Sequence, residues 1–274
     1  MNLLDRTPPG ADHRLPYGNL PLQFGDLWLP SGMKRRPLLV FVHGGWWNSA
    51  YDLGYASFLC EAMRAQGVAV WSLEYRRVGD NGGGWPGTMR DVAAGMDHVV
   101  KLAETFPINT MRVIAAGHSA GGQLAFWLAG RHHVPHESVL ATPAPNLALK
   151  GAVALAGAID LKVTIELGGF FSFSNGDPAV RALMGGSPED VPERYAAADP
   201  GELLPLGVPQ ILVQGSKDDQ IPAALPLRWQ QNAKRQGDPV EVKIVPDADH
   251  FDLVDPESHA WSVSRDAMLS LLRG

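Results

Sequence analysis

Apolar residues along this chain arrive in short unbroken runs, separated by stretches with a helical period. Pro37-Leu38-Leu39-Val40-Phe41-Val42, Val68-Ala69-Val70-Trp71-Ser72-Leu73, Arg112-Val113-Ile114-Ala115-Ala116, 151–157 and Gln210-Ile211-Leu212-Val213-Gln214-Gly215 are runs of this kind. A strand covered on both faces has this pattern, because neither row of its alternating side chains meets water. Val240-Glu241-Val242-Lys243-Ile244-Val245 alternates and predicts a last strand. Residues 20–29 alternate loosely and end at Pro30-Ser31-Gly32, which predicts one or two outer strands. Helices are expected over about 52–66, closed by Gly67, and over about 87–105, between Pro86 and Pro107. Others are expected after residue 119, near 223–236 and over about 257–273. Strand then helix, repeated this often, predicts an α/β protein with a mostly parallel sheet of about eight strands and helices on both faces.

The length of 274 residues suits a single domain spanning 1–274. Residues 1–16, rich in Pro, Gly and polar groups, are expected as an irregular N-terminal arm. Between Asp160 and Pro209 no strand pattern is evident. Long insertions at this edge of a sheet usually cover a site, so 161–209 is expected as a small lid-like insertion.

The run ending at Ala116 leads into Gly117-His118-Ser119-Ala120-Gly121, and a helical segment, 123–129, follows. A serine on a tight strand-to-helix turn is lifted clear of the sheet, where its oxygen can react. The flanking glycines are needed because the turn brings two backbones together. The next amide, that of Ala120, lies at a helix N-terminus and faces the place where an oxyanion would form.

A serine hydroxyl is a weak nucleophile at neutral pH; it needs a base, a group that orients the base, and donors for the oxyanion. His250 follows the last predicted strand, at the sheet end where ligands bind, and is the candidate base. Asp218, after the preceding strand, is the candidate orienting acid, with Asp219 as its near competitor. The loop His43-Gly44-Gly45-Trp46-Trp47 follows the first long buried strand. Its Gly44 or Gly45 is expected to supply a second oxyanion amide beside that of Ala120, and the sequence leaves that choice open. Each residue alone has a commoner role as a cap, a turn or a solvated loop group. What singles them out is their order, each placed after a strand. Trp46, Trp47, Trp85, Phe171 and Phe251, with Phe170 and Phe173, fall in loops expected around the serine and suggest an apolar pocket for an acyl or aryl group.

Composition narrows the remaining choices. A formal charge of −6 without a basic stripe argues against a nucleic-acid partner. No apolar run is long enough to span a bilayer, so no membrane association is expected. The N-terminus lacks a basic start followed by an apolar core, which predicts a cytoplasmic protein without a signal peptide. The single cysteine, Cys60, excludes an intrachain disulfide and is expected in the core. No histidine pair has zinc spacing with supporting ligands, and there is no phosphate-binding glycine loop, so no metal and no cofactor is expected. His118 is expected to be structural rather than the base. The expected partner is a small-molecule ester or formamide, and a homodimer is allowed.

From about residue 20 onward the chain resembles the α/β-hydrolase superfamily, in particular its lid-poor esterases. The marks are His43-Gly44-Gly45-Trp46-Trp47, Glu74-Tyr75-Arg76-Arg77, Gly117-His118-Ser119-Ala120-Gly121, the Asp218 turn and Asp249-His250-Phe251. The order Ser119, Asp218, His250 is the order of that superfamily. Hormone-sensitive-lipase-like esterases, feruloyl or acetyl-xylan-type esterases and kynurenine formamidases share the first and third marks, and the H-G-G-x-W form resembles the formamidases most. The chain departs from the lipase-like group after Glu74-Tyr75-Arg76, where it continues Arg77-Val78-Gly79-Asp80-Asn81-Gly82-Gly83-Gly84-Trp85-Pro86, and its N-terminal arm is too short for that group's helical cap. The resemblance implies a serine hydrolase cleaving carboxylic esters through an acyl-enzyme. An arylformamidase acting on N-formylkynurenine is the alternative, and a binding protein that has lost catalysis is a minor one.

Overall fold

A computed structural model of the chain describes residues 3–32, 34–141, 147–168 and 176–273. Among the described residues eight strands form one sheet: β1 (His13–Pro16), β2 (Phe24–Trp28), β3 (Arg36–Val42), β4 (Ala69–Leu73), β5 (Ile108–His118), β6 (Ala152–Leu155), β7 (Gln210–Gly215) and β8 (Val240–Val245). Their order is β1-β2-β4-β3-β5-β6-β7-β8. The β1–β2 and β2–β4 pairs are antiparallel and the other pairs parallel. The helices are α1 (Ser57–Ala65), α2 (Gly87–Asp97), α3 (Val99–Thr105), α4 (Ala120–Gly130), α5 (Leu161–Gly168), α6 (Gly176–Met184), α7 (Pro192–Ala198), α8 (Ala224–Arg235) and α9 (Trp261–Arg273).

The unbroken apolar runs are explained by burial on both faces. Along β3, Leu38, Val40 and Val42 join one core with residues of α2, α3, α4 and α8, while Leu39 and Phe41 join the other with α1 and α9. Successive side chains of a strand point to opposite faces, so a strand with helices on both sides must be apolar at every position. β8, at the sheet edge, keeps its alternation, with its ends buried and its middle more exposed.

Three elements differ from the sequence reading. The arm over 1–16 is not wholly irregular: Leu3–Asp5 form a 3₁₀ turn and β1 pairs antiparallel with β2. β1 is a mostly exposed edge strand, so it carries no hydrophobic period to read. The long helix expected over 87–105 divides at His98 into α2 and α3. The helix expected from 52 begins as a 3₁₀ turn, Leu53–Ala56, capped by the Asp52 carboxylate, which accepts from the Gly54 amide. Between β6 and β7 the described residues hold α5, α6, α7 and a 3₁₀ turn, Pro200–Leu203. Phe170, Phe171 and Phe173 lie outside the described residues.

β3 lies between β4 and β5, so successive connections leave it in opposite directions across the sheet. At such a reversal the loops at the carboxyl ends of the strands part and leave a crevice. The His43–Gly45 loop and Ser119 both emerge there, at the ends of β3 and β5. Cys60 is fully buried on α1, and burial pushes its thiol up to about 12. Among the described residues no helix is long and apolar enough to cross a membrane.

Candidate active site

Ser119 links β5 to α4 with φ 54° and ψ −123°, a conformation that residues with a side chain avoid at a cost of about 1–3 kcal/mol. Backbone bonds impose it: the Ser119 amide donates to Leu155 O at 2.9 Å, and its carbonyl accepts from the amides of Gly122 at 2.9 Å and Ala158 at 3.1 Å. Its hydroxyl does not cap α4, so that oxygen is not spent on the helix. The Ala120 amide is among the open amides of the first helical turn.

The glycines around the serine are set by contact. A Cβ on Gly117 would stand 2.0 Å from Gly121 O, and one on Gly121 would stand 2.0 Å from Val42 O. Gly121→Ala must push β3 away from α4, and overpacking of this kind costs about 1–3 kcal/mol or more. The expected result is a lowered melting temperature together with lost activity. A variant melting like the wild type would show that the backbones can separate without cost.

The Asp218–His250 pair sits at the ends of β7 and β8. His250 Nδ1 donates to Asp218 Oδ2 at 2.8 Å, with both side chains almost wholly buried. Asp218 Oδ2 also accepts from Gln214 Nε2 at 2.8 Å, and Oδ1 accepts from the amides of Gln220 and Ile221 at 2.9 Å each. Burial alone would raise the Asp218 pKa. The hydrogen bond and charge of His250, with the two amides, outweigh it and hold the carboxyl below the ordinary carboxylate value. A carboxylate facing Nδ1 keeps the proton there, which leaves Nε2 as the acceptor. Asp219, the competitor, is exposed.

His118 has both ring nitrogens committed. Nε2 faces the His250 carbonyl at 3.0 Å and must donate to it, so Nδ1, 2.8 Å from Tyr55 Oη, accepts. Burial, then the neighbouring His250, pushes its pKa down to about 3, so it stays neutral. Tyr55 Oη in turn accepts from the Gly44 amide at 2.7 Å. The Gly44 amide is therefore taken. Among the described residues no hydrogen bond from the Gly45 amide is found, which leaves Gly45 as the candidate second donor. Gly44 serves a different purpose. A Cβ there would stand 2.8 Å from the Ser119 Cβ, so its lack of a side chain lets the loop approach the serine. Behind the loop, His43 Nε2 donates to Glu74 Oε1 at 3.1 Å, and its ring stacks on Tyr75 at 4.5 Å. Glu74 also accepts from the Leu53 and Tyr75 amides and pairs with Arg77, so the Glu74–Arg77 segment braces the loop from below.

A cavity of about 270 Å³ opens over these groups. Ser119, His118, His250, Gly45, Trp46 and Phe251 line it, joined by Leu4, Tyr51, Tyr55 and Gln220, which the sequence did not single out. Two aromatic assignments are corrected. Trp47 is fully buried, and its Nε1 donates to Gln123 Oε1 at 3.1 Å. Gly45, Trp46 and Trp47 all have positive φ, and this tight loop leaves Trp46 at the cavity while Trp47 enters the core. Trp85 lines a separate cavity with Pro135, Val139 and Arg194. Phe171 is outside the described residues.

A mostly parallel sheet with a strained serine between β5 and α4, and an aspartate–histidine pair after its last two strands, defines an α/β-hydrolase. The chain belongs to the BD-FAE family, whose model matches residues 26–228. It is 27% identical over 280 residues to esterase LipC of Mycobacterium tuberculosis, covering 93% of this chain and 67% of that protein. Esterase B from Lactobacillus rhamnosis has a similar fold, with a TM-score of 0.79 at 19% identity over 97% of this chain and 86% of that one. So does a propionate-bound esterase from Thermogutta terrifontis, with a TM-score of 0.70 at 20% identity over 97% and 94% of the two chains.

Proposed function

We propose that this protein hydrolyses carboxylic esters of small to medium acyl or aryl groups through an acyl-enzyme on Ser119. The observation that carries the reading is the buried Asp218–His250 hydrogen bond beside a cavity that also holds the strained serine. Ser119 Oγ attacks the ester carbonyl while His250 Nε2 takes its proton. The amides of Gly45 and Ala120 stabilise the oxyanion, and His250 then protonates the departing alcohol. Water attacks the acyl-enzyme by the same route, with His250 as base, and releases the acid. Asp218 keeps the imidazole in the required tautomer and stabilises it when charged.

The similarity to LipC, an esterase by name, favours an ester over a formamide. At about 270 Å³ the cavity is just below the usual size of ligand sites, about 300–1,000 Å³, which suits a short acyl group. Trp46 and Phe251 give it aromatic walls. The lone buried cysteine fits a reducing compartment, and we place the protein in the cytoplasm. A paired assay of p-nitrophenyl acetate through octanoate against N-formylkynurenine tests the substrate class. The expected result is kcat/KM for the best ester well above that for the formamide; the reverse order would make the protein a formamidase working with the same residues.

A further inference from the structure

The residues ahead of β1 reach the cavity from outside the matched family region. Leu3 is buried in the core that contains Leu59, Cys60 and Met63 of α1. Arg6 pairs with Asp255 at 2.5 Å and Glu257 at 2.8 Å, and its guanidinium lies 4.6 Å over the Phe58 ring. Phe58 is on α1, one turn beyond Tyr55, and the two acids follow His250 in the loop leading to α9. The segment is therefore tied at both ends to elements that carry the site.

Leu4 lies between these ties. It lines the catalytic cavity with Ser119 and Trp46, and it also lines a neighbouring cavity of about 330 Å³ bounded by Arg6, Pro8 and Asp52. The two cavities share Leu4, Tyr51 and Tyr55. Tyr55 is held in place by its bonds to Gly44 and His118. Leu4 is an apolar side chain left 45% exposed, so it contributes surface to the two cavities rather than to the core.

We propose that Leu4 is a specificity residue: it partitions the catalytic cavity from its neighbour and so limits the length of the apolar chain that an ester can carry, while Leu3 and Arg6 hold it in position. This rests on the esterase reading. Cutting back Leu4 would open the cavity over Ser119 toward its neighbour of about 330 Å³, with Tyr51 and Tyr55 remaining as the rest of the shared wall. A longer acyl chain could then bury methylenes that it must otherwise leave in water.

The test is the ratio of kcat/KM for p-nitrophenyl octanoate to that for p-nitrophenyl butyrate in wild type, Leu4→Ala, Leu4→Trp and Arg6→Ala. In Leu4→Ala the ratio should rise about tenfold, the gain expected from burying roughly two further methylenes. It should fall in Leu4→Trp, and rise in Arg6→Ala as the segment loses its tie. Ester hydrolysis by all the proteins with an unchanged ratio, or a ratio moving the same way in both Leu4 variants, overturns the partition and leaves the esterase reading standing. A folded wild type that turns over no ester overturns both.

Discussion

Replacing Ser119 by alanine should lower kcat for p-nitrophenyl butyrate by about 10⁶-fold, the loss seen when the serine of such a triad is removed. The fold should survive, because the strain at this position is in the backbone and alanine carries a Cβ as serine does. The bonds that impose φ 54°, from Ser119 to Leu155, Gly122 and Ala158, involve only main-chain atoms and remain available. The melting temperature should therefore stay within a few degrees of wild type. Retention of more than a small fraction of the activity would mean that another group forms the covalent intermediate.

Asp218→Asn should cut kcat by about 10⁴-fold without unfolding the protein. Asp218 Oδ2 accepts from two donors, His250 Nδ1 and Gln214 Nε2. An asparagine that places its oxygen toward the Gln220 and Ile221 amides presents its NH₂ to both. The imidazole must then accept at Nδ1 and carry its proton on Nε2, the wrong tautomer for a base toward Ser119. Asp219→Asn, at an exposed position one residue on, should stay near wild-type activity; the opposite pattern would transfer the role to Asp219. A pH consequence follows from the lowered Asp218 pKa. A carboxyl whose pKa is depressed by folding contributes stability in full above its unfolded value, and that contribution is lost as pH falls through the folded value. This part of the acid destabilisation should be absent in Asp218→Asn.

The candidate site residues are legible in the sequence because each follows a strand that announces itself. β3, β5, β7 and β8 carry apolar runs or alternation, and a parallel sheet delivers the residues after them to one edge. Asp218 and His250 meet across 32 residues by that rule alone. What was not legible depends on contacts that no local pattern encodes. Tyr55 looks like any helical tyrosine until the fold brings its hydroxyl to His118, 63 residues away. Trp46 and Trp47 are adjacent and chemically alike, and only the left-handed backbone of their loop parts them between cavity and core. Leu4 stands in a segment whose sequence reads as an arm, and its place at the cavity is set by the burial of Leu3 and the ion pairs of Arg6. That the Gly44 amide is occupied shows only once the fold brings the Tyr55 oxygen to it.

The proposed function makes Ser119 a nucleophile activated by His250. Its most direct test is to treat the folded protein with a fluorophosphonate, measure the intact mass, and locate the adduct by peptide sequencing. One phosphonyl group on Ser119, with no adduct in Ser119→Ala and slowed labelling in Asp218→Asn, is the expected result. An unlabelled wild type, or an adduct on any other residue, would rule out Ser119 as the nucleophile.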